Sequence, residues 1–149
     1  MRIPANVLGY ATLRLAIGMS LLIHGLARIG HIPAFAESMA KQFSSSVLPA
    51  SAVVVFAWIT PPVELFIGVL VLCGLWTRLG LTLGGAWMVV LIFGSALIEN
   101  YNAVAIQLLY SLIFFHLLQN VHLNALSLDR FIFPKTLSVP NRSSGSVSD

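Results

Sequence analysis

Four stretches of the chain carry apolar residues so densely that little polar face is left, at about 7–27, 52–75, 79–98 and 103–122. A helix needs roughly 20 residues to cross a hydrocarbon core about 30 Å thick, and each stretch meets that length. The links at Trp76-Thr77-Arg78 and at Glu99-Asn100-Tyr101-Asn102 are short, so the helices they join must be antiparallel neighbours. Between the first and second stretches the pattern changes. Ile32, Phe35, Ala36, Met39, Ala40 and Phe43 recur at helical spacing, while Glu37, Lys41 and Gln42 fall on other faces. Pro33 suits a first helical turn. These features predict a short amphipathic helix over about 32–43, lying on the outer leaflet or lidding the bundle, with Ser44-Ser45-Ser46 and Pro49 ending it. The expected fold is all-α: an integral membrane antiparallel four-helix bundle with that short helix in its first outer loop. It forms one domain over 1–133, and the Ser- and Pro-rich residues 134–149 form a disordered cytoplasmic tail.

Composition supports a membrane protein. Hydrophobic residues make up 58% of the 149, and charged residues 9%, against roughly 25% charged in soluble domains. The net charge of +3 contains no basic run, so no nucleic-acid partner is expected. Cys73 is the only cysteine, which excludes an internal disulfide, a CxxC dithiol and a cysteine-based zinc site. Arg14 interrupts the first apolar stretch and no small-residue cleavage site follows, so that stretch is read as an uncleaved span. Arg2, Arg78, Arg130, Lys135 and Arg142 fall on one side and only Arg28 and Lys41 on the other, which predicts that both termini are cytoplasmic.

Against this background the buried charges stand out. Glu64 lies near the middle of the second span, where an isolated carboxylate costs roughly 2.5–3.5 kcal/mol on insertion scales. Arg14, the basic residue inside a span, shares one helical side with Gly18, Leu21, Gly25 and Arg28, and Glu64 shares one with Gly68. Depths counted from the span ends differ by ~8 Å, about an arginine side chain, so an Arg14–Glu64 ion pair is expected. Pro61-Pro62 removes two backbone donors one turn before Glu64, which should kink the span and free carbonyls near Ala57 and Trp58 beside a polar pocket. His24 lies at the level where Gln107 could face it. His24 and His116 differ in depth by ~13 Å, and His31 and His122 fall at opposite surfaces, so no haem or metal is expected. Gly80, Gly84 and Gly85, with Ser95 beyond, read as close-packing positions on the third span. Tyr10, Trp76 and Tyr101 read as interfacial anchors, Trp58 and Trp87 as packing, and Cys73 as a small buried residue.

Arg14-Leu15-x-x-Gly18, His24-Gly25-x-x-Arg28, Val63-Glu64-Leu65-x-x-Gly68, the run from Gly74 to Thr77-Arg78, and Ser127-Leu128-Asp129-Arg130 together resemble the DoxX family of small four-span bacterial membrane proteins. The resemblance spans about 10–130 and marks Arg14, Gly18, His24, Gly25, Arg28, Glu64, Gly68, Thr77, Arg78 and Asp129 as motif positions. It implies a multi-pass protein of the bacterial inner membrane. Its relatives include the membrane subunit of a thiosulfate:quinone oxidoreductase and members of oxidative-stress complexes. The leading expectation is therefore an accessory membrane subunit associated with redox or oxidative-stress complexes and, if redox, a subunit of a quinone-linked oxidoreductase that is not catalytic alone. It would hold a quinone in a pocket of Arg14, His24, Glu64 and Gln107, within the lipid bilayer, and dock a soluble redox partner. A homo-oligomer is compatible with the glycine faces. The alternatives are a non-catalytic scaffold or chaperone-like protein and, third, a small transporter.

Overall fold

The computed structural model describes residues 3–132. The tail expected to be disordered lies outside these residues. Four helices are long and apolar enough to cross a membrane: α1 (Ala5–Ile29), α3 (Ala50–Cys73), α4 (Thr77–Leu97) and α5 (Tyr101–Gln119). Their ends depart from the sequence expectation by at most three residues. The amphipathic stripe forms α2 (Ile32–Gln42), with Pro33 in its first turn. After α5 come a 3₁₀ turn (Val121–Leu123) and α6 (Leu128–Ile132). Among the described residues there is no strand. α1 packs on α3, α3 on α4, α4 on α5 and α5 on α1, so the four long helices close into a bundle, with α2 lying against α3. Its core holds Ile17, Leu21, Ile67, Val71, Leu81, Phe114 and Leu117. Outward-facing Leu15, Ile23, Phe66, Val89, Phe93, Leu112 and Phe115 make a surface that water would not wet but lipid would. The protein is a multi-pass membrane protein.

Glycine sets the register of the α1–α3 pair. A Cβ on Gly18 would meet the Leu72 amide nitrogen at 2.6 Å, one on Gly25 the Leu65 nitrogen at 2.6 Å, and one on Gly68 the Leu22 nitrogen at 2.5 Å. Backbone therefore lies against backbone over two turns, an approach that only residues without a side chain allow. In each facing pair the two residue numbers add to 90. α1 consequently runs past the end of α3 at one side, because Cys73 faces residue 17 while α1 starts at Ala5.

The uncovered start of α1 is filled in by the segment after α5. This explains why Tyr10, expected at the interface, is instead buried in the core cluster. Two other readings change as well. Trp58 faces outward, and so does Cys73. Trp87 packs as expected, stacked on Phe56 with 5.4 Å between ring centroids. Gly84 faces the Phe114 ring and Gly80 faces Leu70 and Val71, whereas Gly85 has looser surroundings.

Candidate ligand-binding site

At the α2 end the four long helices enclose a cavity of about 430 Å³, within the range of roughly 300–1,000 Å³ typical of small-molecule sites. α1 lines it with His24 and Arg28, α3 with Phe56, Thr60 and Glu64, α4 with Met88 and Ser95, and α5 with Ile106, Gln107 and Tyr110. α2 supplies its cover, through Phe35, Met39 and Phe43. The amphipathic stripe read from the sequence is thus spent on this cavity.

Glu64 is the buried charge in it. Its partner is Arg28, whose Nη1 donates to Glu64 Oε2 at 2.5 Å. This corrects the expected Arg14–Glu64 pair, and the glycine register gives the reason. Position 64 on α3 faces position 26 on α1, two residues from Arg28 and 12 from Arg14. Twelve residues of helix are ~18 Å, beyond the reach of one side chain. The shared face of Arg14 and Arg28 was read correctly, but the depth was not, because the two spans do not end flush. Arg28 also lies over the Phe35 ring, 5.0 Å from its centroid, which ties α2 to the ion pair through a cation–π contact.

The neutral polar groups around this pair are only partly used. His24 Nδ1 donates to the Ser20 carbonyl at 2.7 Å. A carbonyl can only accept, so the proton sits on Nδ1 and a neutral imidazole keeps Nε2 as an acceptor. Gln107 Nε2 donates to Ser95 Oγ at 2.9 Å, while its Oε1 is buried without a partner. Exchanging the amide atoms would satisfy the oxygen and orphan the nitrogen, so one end of the carboxamide is unpaired either way. Thr60 Oγ1 bonds back to the Phe56 carbonyl at 2.8 Å. Below the cavity Ser20 Oγ and Tyr110 OH share a 2.5 Å hydrogen bond linking α1 to α5. Pro61 and Pro62 lie inside α3, which stays helical through both. The ring nitrogens leave the carbonyls of Ala57 and Trp58 without their helical donors, within one turn of Thr60 and about two turns from Glu64.

Arg14 belongs to a second polar cluster, at the opposite end of the bundle. Its Nη1 donates to the Val71 carbonyl at 3.2 Å and its Nη2 to the Leu126 carbonyl at 2.7 Å, joining the last turn of α3 to the segment before α6. Gly74 closes α3 in the left-handed region at φ 65, with the Leu75 amide returning to the Leu70 carbonyl and the Gly74 amide to the Val71 carbonyl. A Cβ there would strike the Arg14 guanidinium, so the site requires glycine for space as well as for conformation. Asp129 then caps α4. Its carboxylate accepts from the Trp76 amide at 2.6 Å and the Thr77 amide at 2.8 Å, and its own amide donates to the Gly74 carbonyl at 3.0 Å. An anion at the positive end of a helix dipole is favourable, and here it holds Trp76 at φ 45. Asn124 Nδ2 donates to Thr77 Oγ1 at 2.8 Å. Arg78, beside Thr77, is exposed.

The motif positions therefore divide into three groups. Arg14, Thr77 and Asp129 lock one end together, Gly18, Gly25 and Gly68 fix the seam, and His24, Arg28 and Glu64 face the cavity. A model of the DoxX family matches residues 9–96. The chain belongs to the DoxX family. Neither a curated protein nor a solved structure matches the sequence. In this DoxX protein the matched stretch covers α1 to α4, including Arg14, His24, Arg28, Glu64, Thr77 and Arg78, and stops short of Gln107 and Asp129. Among the described residues, no three His, Cys, Asp or Glu side chains gather in a group that could hold a metal ion.

Of the four pocket residues expected from the sequence, the cavity unites His24, Glu64 and Gln107 and leaves out Arg14. Sequence reasoning missed Arg28 as the counter-ion, Phe35 as its stacking partner, and the polar contributions of Thr60, Ser95 and Tyr110. Arg28 did carry a signal, since it lies on the glycine face of α1. Ser95 read only as a close-packing position beyond the α4 glycines, and Tyr110 did not stand out among Gln107, Ser111 and His116 on α5.

Proposed function

We propose that this DoxX protein is a membrane subunit that binds the head group of a quinone in the cavity beside Arg28 and Glu64. One observation carries the reading: the lining offers both donors and acceptors that the fold leaves unspent. Arg28 has further N–H groups beyond the one held by Glu64. Glu64 Oε1, His24 Nε2 and the buried Gln107 Oε1 are acceptors. A quinone accepts hydrogen bonds at its carbonyls and its reduced form donates them from hydroxyls, so a site carrying both kinds suits a ligand that alternates. Phe35, Phe43 and Phe56 supply flat apolar surface for its ring. When bound, the quinone would carry electrons that this chain's own residues do not, which is why the reading includes a soluble redox partner.

The same reading puts the protein in a bacterial inner membrane with both termini cytoplasmic. Arg28 is engaged inside the bundle, leaving Lys41 as the basic residue on the outer side of the described chain. A scaffold role is the second reading. It is favoured by Arg14, which is buried yet bonds only to backbone carbonyls, as a purely structural clamp would. A transporter is disfavoured because Ile17, Leu21, Ile67, Val71, Leu81 and Leu117 pack apolar side chains between the cavity and the Arg14 end.

The test is equilibrium binding of a ubiquinone or menaquinone analogue to the reconstituted protein. Saturable binding is expected, weakened about tenfold by Glu64→Gln, the size of one charge-assisted hydrogen bond. No saturable binding to the unsubstituted protein would overturn the proposal.

A further inference from the structure

We infer that the ligand of this cavity is a tailed amphiphile that arrives sideways from the bilayer, through a slot between α1 and α5. Its uncharged head lies at the Arg28–Glu64 pair and its apolar tail leaves past Ile106. The inference rests on the head-group reading above and adds the route and the ligand's shape.

Four lining residues are exposed at the protein surface: His24, Gln42, Asn100 and Ile106. Gln42 ends α2 and Asn100 caps α5, so both mark the polar end of the bundle. His24 and Ile106 do not. They lie within α1 and α5, and Ile106 is 58% exposed although it lines the cavity. A residue that faces both the cavity and the outside marks a mouth, and one flanked by exposed Ile23, Leu26 and Leu109 opens onto lipid rather than water. The slot has a floor. His24 stands one turn above Ser20 and Ile106 one turn above Tyr110, and the Ser20–Tyr110 hydrogen bond joins the two helices there. It is the one hydrogen bond between α1 and α5 among the described residues.

Charge decides the head group. Arg28 and Glu64 are the cavity's charged lining residues, and they neutralise each other. A charged head would leave an uncompensated charge in a low-dielectric site, whereas a neutral head with oxygen atoms would find the unpaired Gln107 amide and His24.

The test uses the full chain in lipid nanodiscs with two probes, a decyl-tailed dimethoxybenzoquinone and the same head without its tail. Ile106→Trp fills the mouth at an exposed position, and Ile106→Ala widens it. Ile106→Trp should weaken binding of the tailed probe about tenfold or more and leave the tailless probe within about twofold, while Ile106→Ala leaves both near the parent value. Thermal melting and gel-filtration profiles matching the parent would show that the variants fold. Tailed-probe binding that depends on Glu64 but is indifferent to Ile106→Trp would overturn the lateral route alone. If neither probe binds the unsubstituted protein, the head-group reading fails and the route falls with it.

Discussion

Replacing Arg28 with Met removes the counter-ion of a carboxylate that is almost fully enclosed. The Glu64 side chain is 5% exposed and that of Arg28 is 32% exposed, with 2.5 Å between the paired atoms. Coulomb attraction at 4 Å and an effective dielectric near 20 is about 4 kcal/mol, and desolvation of the two groups offsets part of it. Breaking a buried pair by deleting one partner costs about 3–5 kcal/mol, because the other charge is left uncompensated. The exposure of Arg28 puts this case near the lower end, at about 3 kcal/mol, including some 0.5–1 kcal/mol for the stacking on Phe35. Deleting both charges, in Arg28→Met with Glu64→Met, should restore most of the loss. A double-mutant cycle measured by unfolding in mixed micelles, followed by circular dichroism, should give a coupling of about 2 kcal/mol between positions 28 and 64. The matching cycle for positions 14 and 64 should give less than about 0.5 kcal/mol, since they lie ~18 Å apart along the seam. Equal couplings in the two cycles would refute the register derived from the glycines.

Gly68→Ala should destabilise by about 1–3 kcal/mol in the same assay, because its Cβ would meet the Leu22 backbone at 2.5 Å and the α1–α3 seam would have to open. Gly9→Ala is the contrasting case: nothing lies within 4 Å of its Cβ, so it should gain up to about 1 kcal/mol from helix propensity. Asp129→Ala should cost about 1–2 kcal/mol and speed hydrogen exchange at the Trp76 and Thr77 amides that it caps, while amides deep in α5 keep their protection. Arg14→Met should lower stability by about 1–3 kcal/mol through the Val71 and Leu126 carbonyls it strands, and leave the affinity for a quinone analogue unchanged within about twofold. A larger loss of affinity would return Arg14 to the ligand site.

The spans were readable because a membrane helix has no polar face to blur its pattern. α2 was readable because Phe35, Met39 and Phe43 repeat at helical spacing, and those side chains now cover the cavity. His24, Glu64 and Gln107 were readable as polar residues in apolar company. The ion-pair partner was not, and the reason is specific. Pairing across antiparallel helices depends on their relative shift, and depth counted from span ends assumes that the ends are level. Gly18, Gly25 and Gly68 set that shift, but one glycine does not announce which residue it faces. Tyr10 was misread for the same reason: with α1 running past α3, a position that looked interfacial lies under the segment after α5. Asp129 was marked by resemblance alone, and its task as the cap of α4 comes from a turn that brings residues 76 and 129 together.

The account depends most on where a head group binds, and photolabelling can locate it. A quinone bearing an azide on its ring, activated at sub-saturating concentration in the reconstituted protein and mapped by mass spectrometry, should mark peptides from α2 and from the Ile106–Tyr110 part of α5, with labelling strongly reduced in Glu64→Gln. Labels concentrated at the Gly74–Arg78 turn and the Asn124–Asp129 segment, and unaffected by Glu64→Gln, would contradict it.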